Sequence, residues 1–150
     1  MSVVVDAREV FELARRFDEA GEIVTEELTT SMKKLGLTTE LYAKQTVGVK
    51  TGTLRRAITS QVKGSGTSIV AEIGTQGVPY ARIHHDGRGP VVARGRALHF
   101  FIGGVEFFRK SVGPAKGNPF LTNALDRVRP QIAPEIGAAA TRAVSRIVGG

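Results

Sequence analysis

His84, His85, Asp86 and His99 are the side chains of this 150-residue chain that come closest to a chemical site. Imidazole and carboxylate together could ligate a metal or trade protons. Their spacing argues against both. Adjacent histidines in an extended segment point to opposite faces, and a zinc site needs three or four protein ligands. A polar strand end beside a loop accounts for them. Gly64-Ser65-Gly66 and Gly87-Arg88-Gly89 carry paired glycines, but neither opens the helix whose N-terminus would hold a phosphate. Serines are frequent, yet no base is placed to activate one. The absence of cysteine removes disulfides and thiolate metal sites. The expectation is a non-enzyme with no catalytic residue, metal, cofactor or small-molecule substrate.

Charge is more informative. The chain carries +7, unevenly spread. Residues 1–30 hold eight acids against three bases, a balance of −5; residues 31–150 hold six acids against eighteen bases, a balance of +12. Such a subunit can bind an acidic polymer or pair head to tail with its own copies. Arg82, Arg88, Arg94 and Arg96 against Asp86 give +3 locally. They suit docking on an acidic neighbour, or contact with DNA in a channel. No aromatic is interleaved among them, so base stacking is not expected. No sequence-reading motif is present.

These residues need elements to position them. Val10, Leu13, Phe17, Ala20, Val24, Leu28, Met32 and Leu35 recur at three- and four-residue steps, predicting about 25 residues of amphipathic helix. Asp6 is the expected N-cap with Glu9 in support, and Gly36 the expected stop or hinge. A short second helix is expected over Thr39–Thr46. Ile58, Ser60 and Val62, a Gly64-Ser65-Gly66 turn, then Ile69, Ala71 and Ile73 predict a hairpin. Asp86–Arg96 reads as a long loop punctuated by Gly and Pro. Leu98, Phe100 and Ile102, then Gly103-Gly104, then Val105 and Phe107 predict a second hairpin with a two-residue turn. A last helical stripe runs from Leu121 to Ile147 and contains Pro130 and Pro134, so a break is expected near Arg129 or Ala133. The fold class is therefore α+β: a long N-terminal helix, an antiparallel sheet of two hairpins and a C-terminal helix broken near prolines.

Composition agrees with one globular domain over residues 1–150, at 41% hydrophobic and 23% charged. A chain this long hides roughly 70% of its unfolded surface. The start lacks a signal-peptide pattern, no stretch nears the ~20 apolar residues of a membrane span, and a cytoplasmic origin is the simplest reading. The expected core is Leu13, Phe17, Val24, Leu28, Ile58, Ile69, Ile73, Phe120, Leu121 and Leu125. The segment at about 86–111 stands apart as an expected contact arm. Its loop is longer than folding requires, and Phe100, Phe101, Phe107 and Phe108 are more than one face of a ribbon can hide. Phe100, Phe101, Phe107, Phe108, Arg88, Arg94 and Arg96 are the expected partner interface. Arg82, Arg88, Arg94 and Arg96 are the alternative DNA contacts.

Three segments carry a resemblance: Val49-Lys50-Thr51-Gly52-Thr53-Leu54-Arg55-Arg56-Ala57-Ile58, Val78-Pro79-Tyr80-Ala81-Arg82-Ile83-His84-His85-Asp86-Gly87, and Gly117-Asn118-Pro119-Phe120-Leu121-Thr122-Asn123-Ala124-Leu125. In this order, over about residues 20–130, they resemble the small neck and tail-completion proteins of long-tailed bacteriophages. The chain departs from that pattern at Gly48, where a proline is common, and at Lys50, where an aspartate is usual; its 87–117 segment is also longer. The resemblance implies a structural virion protein at the head–tail junction, in a homo-oligomeric ring of six or twelve copies. Its partners would be other connector and tail proteins, with non-specific contact to packaged DNA and no membrane. The competing reading from charge is a basic nucleic-acid-binding module; a hydrolase has little to support it. Physically, Thr51 should bond the turn backbone, Leu54 enter the core and Arg55-Arg56 face out. Tyr80 should bury its ring, Asn118 cap the last helix, and Phe120 and Leu121 anchor it.

Overall fold

The computed structural model describes residues 8–49, 52–65 and 68–149, with the side chains of residues 8–14 and 17 outside the description. The Asp6 cap, the Thr51 turn bond and the burial of Leu13 and Phe17 lie outside it. Helix α1 (Arg8–Thr46) is one element of 39 residues, longer than its apolar stripe suggests. It absorbs the segment expected as a separate helix at Thr39–Thr46. Gly36 is no stop; it is buried in mid-helix. A Cβ there would sit 3.5 Å from the Ser60 Cβ and 3.6 Å from the Ala71 Cβ. The missing side chain lets a hairpin lie close against the helix, and that packing offsets glycine's cost of about 1 kcal/mol.

The hairpin follows α2 (Thr53–Ala57), which Gly52 enters at φ 75°. Leu54 is buried, and Arg55 and Arg56 face out. Strands β1 (Ile58–Ser65) and β2 (Ser68–Thr75) pair antiparallel from Ile58↔Thr75 to Ser65↔Ser68. Gly64 and Ser65, expected in the turn, remain in the ladder; residues 66–67 lie outside the description. Helix α3 (Ala81–Asp86) holds His84 and His85. They are helical neighbours and not the alternating strand residues expected. Tyr80, expected to bury its ring, is exposed and supplies the carbonyl that accepts the His84 N–H at 2.9 Å.

Helix α4 (Phe120–Gly149) runs unbroken through Pro130 and Pro134, against the expected break. Each proline removes a backbone donor. The helix is held on both sides of them, by buried Phe120, Ala124 and Val128 before and Ala139 and Ala143 after. Cross-helix polar ties add to this. Glu135 accepts from Ser31 Oγ at 2.9 Å and Lys34 Nζ at 2.5 Å, and Glu27 accepts from Arg142 and Arg146, each at 2.9 Å. These contacts set α4 antiparallel to α1.

The core joins Ala43, Val47, Leu54, Ile58, Ala81, Phe120 and Ala124. Ile58 and Phe120 are fully buried, while Leu28, Ile69, Ile73 and Leu121 are half-buried. Val24 and Leu125, expected inside, are 36% and 42% exposed. The α1–α4 seam uses alanines and Val128, so the bulkier side chains stay at its margin. Asn118 locks the joint: its Nδ2 donates to the Thr46 carbonyl at 3.0 Å and its backbone N–H to the His84 carbonyl at 2.9 Å. That amide thus braces three helices, a different task from the cap expected of it.

Candidate interaction arm

Residues 87–116, beyond α3, form one long two-stranded ribbon. Strands β3 (Gly87–Arg88), β4 (Val91–Val92) and β5 (Leu98–Ile102) lead outward; β6 (Val105–Arg109), β7 (Ser111–Val112) and β8 (Ala115–Lys116) return. The pairs nest as Gly87↔Lys116, Val91↔Val112 and Leu98↔Arg109, closing at Ile102↔Val105. At the tip Gly103 and Gly104 take φ 57° and 83°, the positive values that a tight hairpin turn needs. The segment expected as a loop over Asp86–Arg96 is therefore the end of α3 followed by half of this ribbon. Its pairing partners lie about twenty residues ahead in sequence, beyond the reach of a local reading.

Two glycines form the root. Gly87 has φ 80°, and a Cβ on it would stand 2.6 Å from the Ala115 carbonyl oxygen; one on Gly117 would stand 2.5 Å from the Asp86 carbonyl carbon. Only bare backbone fits this crossing.

Midway, the two strands fall out of step. Between Val92↔Ser111 and Leu98↔Arg109, the outgoing strand spends residues 93–97 where the returning strand spends only Lys110. The Ala93 N–H donates to the Lys110 carbonyl at 2.9 Å, which pins the start of this excursion. Arg94 and Arg96 project from it, both exposed. Among the described residues, the side chains of Arg94, Arg96, Lys110 and Lys116 make no ion pair. Arg88 is half-buried, and its Nη1 donates to the Gly89 carbonyl at 3.2 Å. Arg82 lies back on α3, with Nε 3.5 Å from Asp86 Oδ2. The four arginines thus divide between body and arm. Hydrogen bonding from His85, reinforced by the charge of Arg82, holds the Asp86 carboxyl below its ordinary value.

The register sorts the tip into two faces. Phe100 pairs with Phe107 on one, their rings stacked with centroids 5.9 Å apart; both are half-buried. His99, Phe101, Glu106 and Phe108 share the other. There His99 stacks on Phe108 at 4.7 Å, and its Nε2 lies 2.6 Å from Glu106 Oε1. Phe101 and Phe108 remain 63% and 59% exposed. The major contacts of β5 and β6 are with each other alone. Val91, Val92, Ile102 and Val105, which lie in the expected arm but were not among its expected interface residues, are also exposed along the ribbon. Ile102 and Val105 flank the Gly103-Gly104 turn, whereas Val91 and Val92 carry no such local mark.

The histidines of α3 serve packing. Both rings meet Phe120 edge-on, with centroids 5.9 Å and 5.3 Å away. His85 Nδ1 lies 2.6 Å from Asp86 Oδ1. Among the described residues no group of three or more His, Asp or Glu side chains could hold a metal ion, and no helix is long and apolar enough to cross a membrane.

No curated protein and no solved structure matches the chain. Residues 11–87 match the family model described as "Bacteriophage HK97-gp10, putative tail-component". The match runs from α1 to the first residue of the arm and stops short of the Gly117–Leu125 segment that also carried the resemblance. It spans just over half of the sequence, and on that ground the chain belongs to the bacteriophage HK97-gp10-like family of phage tail components.

Proposed function

We propose that this chain is a structural subunit of the phage particle that closes into a homo-oligomeric ring at the head–tail junction and joins the connector to the tail. It acts through surfaces and not through catalysis. The exposed apolar arm carries this reading. A ribbon with phenylalanines on both faces and few contacts to its own body is surface made for a partner. The helical body supplies the rigid base, and the arms supply contacts to the next copy and to other tail proteins. Six or twelve copies suit such a ring.

Light scattering on the purified chain after gel filtration tests it, with electron microscopy of the same fractions. Closed rings of six or twelve copies are expected. A monomer at every concentration contradicts the ring.

A second reading has one observation in its favour: Arg94 and Arg96 have no ion-pair partner among the described residues and stand on a strongly basic arm. Non-specific DNA binding by a monomer, weakening steeply with salt, would support it.

A further inference from the structure

The ion pairs of this molecule leave two sets of charge unspent. On α1, Glu26 and Glu27 face Arg146 and Arg142, and Glu19 faces Arg15. Asp18 and Glu22, one turn apart on the same helix face, are exposed and have no ion-pair partner among the described residues. Residues 18–27 contain five acids and no base. On the arm, six bases stand against Glu106 alone, a balance of +5 over residues 87–116.

These sets do not meet within one chain. The root of the arm adjoins Asn118, which is bonded to Thr46 at the far end of α1. Asp18 lies 28 residues back along that helix, or about 42 Å at 1.5 Å per residue. The acids have apolar company at their end. The ion pairs of Arg146 with Glu26 and Glu27 bring the last turns of α4 alongside, and there Val144 and Val148 are exposed. The free end of the α1–α4 pair thus offers acids and bare valines. The arm offers arginines and bare phenylalanines.

We infer that the arm of one copy docks on the free end of the α1–α4 pair of a second copy, with Arg94 and Arg96 facing Asp18 and Glu22. This rests on the reading of the arm as a subunit contact. Charge complementarity selects the occupant. DNA could pair with the arginines, but it would leave Phe101 and Phe108 in water. A second copy satisfies both the charge and the apolar surface. Joining unlike surfaces of two copies is a head-to-tail contact, the kind that closes into a ring when the rotation allows.

Charge reversal on the purified full-length chain, read by sedimentation velocity, tests the contact. R94E/R96E and D18K/E22K change exposed side chains, so both should keep the circular dichroism and melting temperature of the wild type. Each should weaken self-association at least about tenfold by setting like charges together. Mixing the two variants should restore association, and so should the quadruple variant, because each reversed arm then meets a reversed helix. Undiminished association of either double variant overturns the docking, as does failure of both the mixture and the quadruple variant to recover. An R94E/R96E chain that assembles normally but no longer retains a 30-base-pair duplex makes the arm a DNA surface instead. The wild type separates the two readings. If it forms rings that ignore these charges, the docking alone falls; if it remains monomeric, the ring falls as well.

Discussion

Phe120 and Phe101 are the same side chain in opposite circumstances. Phe120 has no exposed surface and sits where α1, α3 and α4 meet. Phe101 is 63% exposed on a ribbon whose tip packs mainly on itself. The body closes an apolar core around Phe120 and neutralises many of its charges across the α1–α4 seam. The arm contributes no residue to that core, and Arg94 and Arg96 make no ion pair among the described residues. A closed core in the body and bare aromatics on the arm are the contrast on which our proposal of an arm partner rests.

Truncating the two phenylalanines should therefore give very different results. Phe120→Ala should cost about 3–5 kcal/mol in urea unfolding, the range for an aromatic removed from a closed core. Phe101→Ala should change the same measurement by less than about 0.5 kcal/mol, as an exposed surface change does. Equal effects would mean that the arm is part of the folding unit, and the contrast would dissolve.

The root is where the two regions can be uncoupled. Gly87→Ala forces a side chain into the positive-φ region and against the Ala115 carbonyl, a strain of about 1–3 kcal/mol. Hydrogen exchange should accelerate at the amides of β3 and β8 while α1 and α4 keep their protection. Uniform acceleration throughout would show that root and body open together.

Acid should act on the body in particular. Hydrogen bonds from Arg142 and then Arg146 hold the Glu27 carboxyl below its ordinary 4.5, and bonds from Lys34 and Ser31 do the same for Glu135. Burial pushes Glu40 up, but Lys44 and Ser60 outweigh it and keep that group low as well. A carboxyl depressed in the folded state adds stability that is fully present above 4.5. That stability is lost as the pH falls below 4.5 and through the folded values. Melting temperature should hold above pH 5 and decline below 4.5, and E27Q/E135Q should flatten the decline modestly. A decline of unchanged size in that variant would move the acid sensitivity elsewhere.

The sequence disclosed what is decided locally. The Gly103-Gly104 turn follows from the backbone that a two-residue loop requires. The stripe of α1 and the anchoring role of Phe120 follow from helical spacing. What stayed hidden depends on distant partners. Gly36 looks like a helix stop until β1 and β2 are seen against it. Pro130 and Pro134 look like breaks until both flanks are seen seated on α1. Val91 and Val92 look like loop because their partners, Val112 and Ser111, come about twenty residues later. The phenylalanines expected at an interface fall on the ribbon, as helix-free β-rich spacing suggested, but the division of Arg82 to the body and Arg94 and Arg96 to the ribbon needed the register.

The excursion at residues 93–97 also bears on how such a chain can change over generations. A residue inserted into β6 would turn the side chains beyond it to the opposite face of the ribbon. One inserted among 93–97 is counted by neither ladder, since pairing stops at Val92↔Ser111 and resumes at Leu98↔Arg109. Length and charge can drift there while the aromatic tip keeps its register. The arm thus has a conservative part, bound by strand arithmetic, and a permissive one carrying Arg94 and Arg96. Lineages that exchange partners could rewrite the permissive part first, without relearning how to fold.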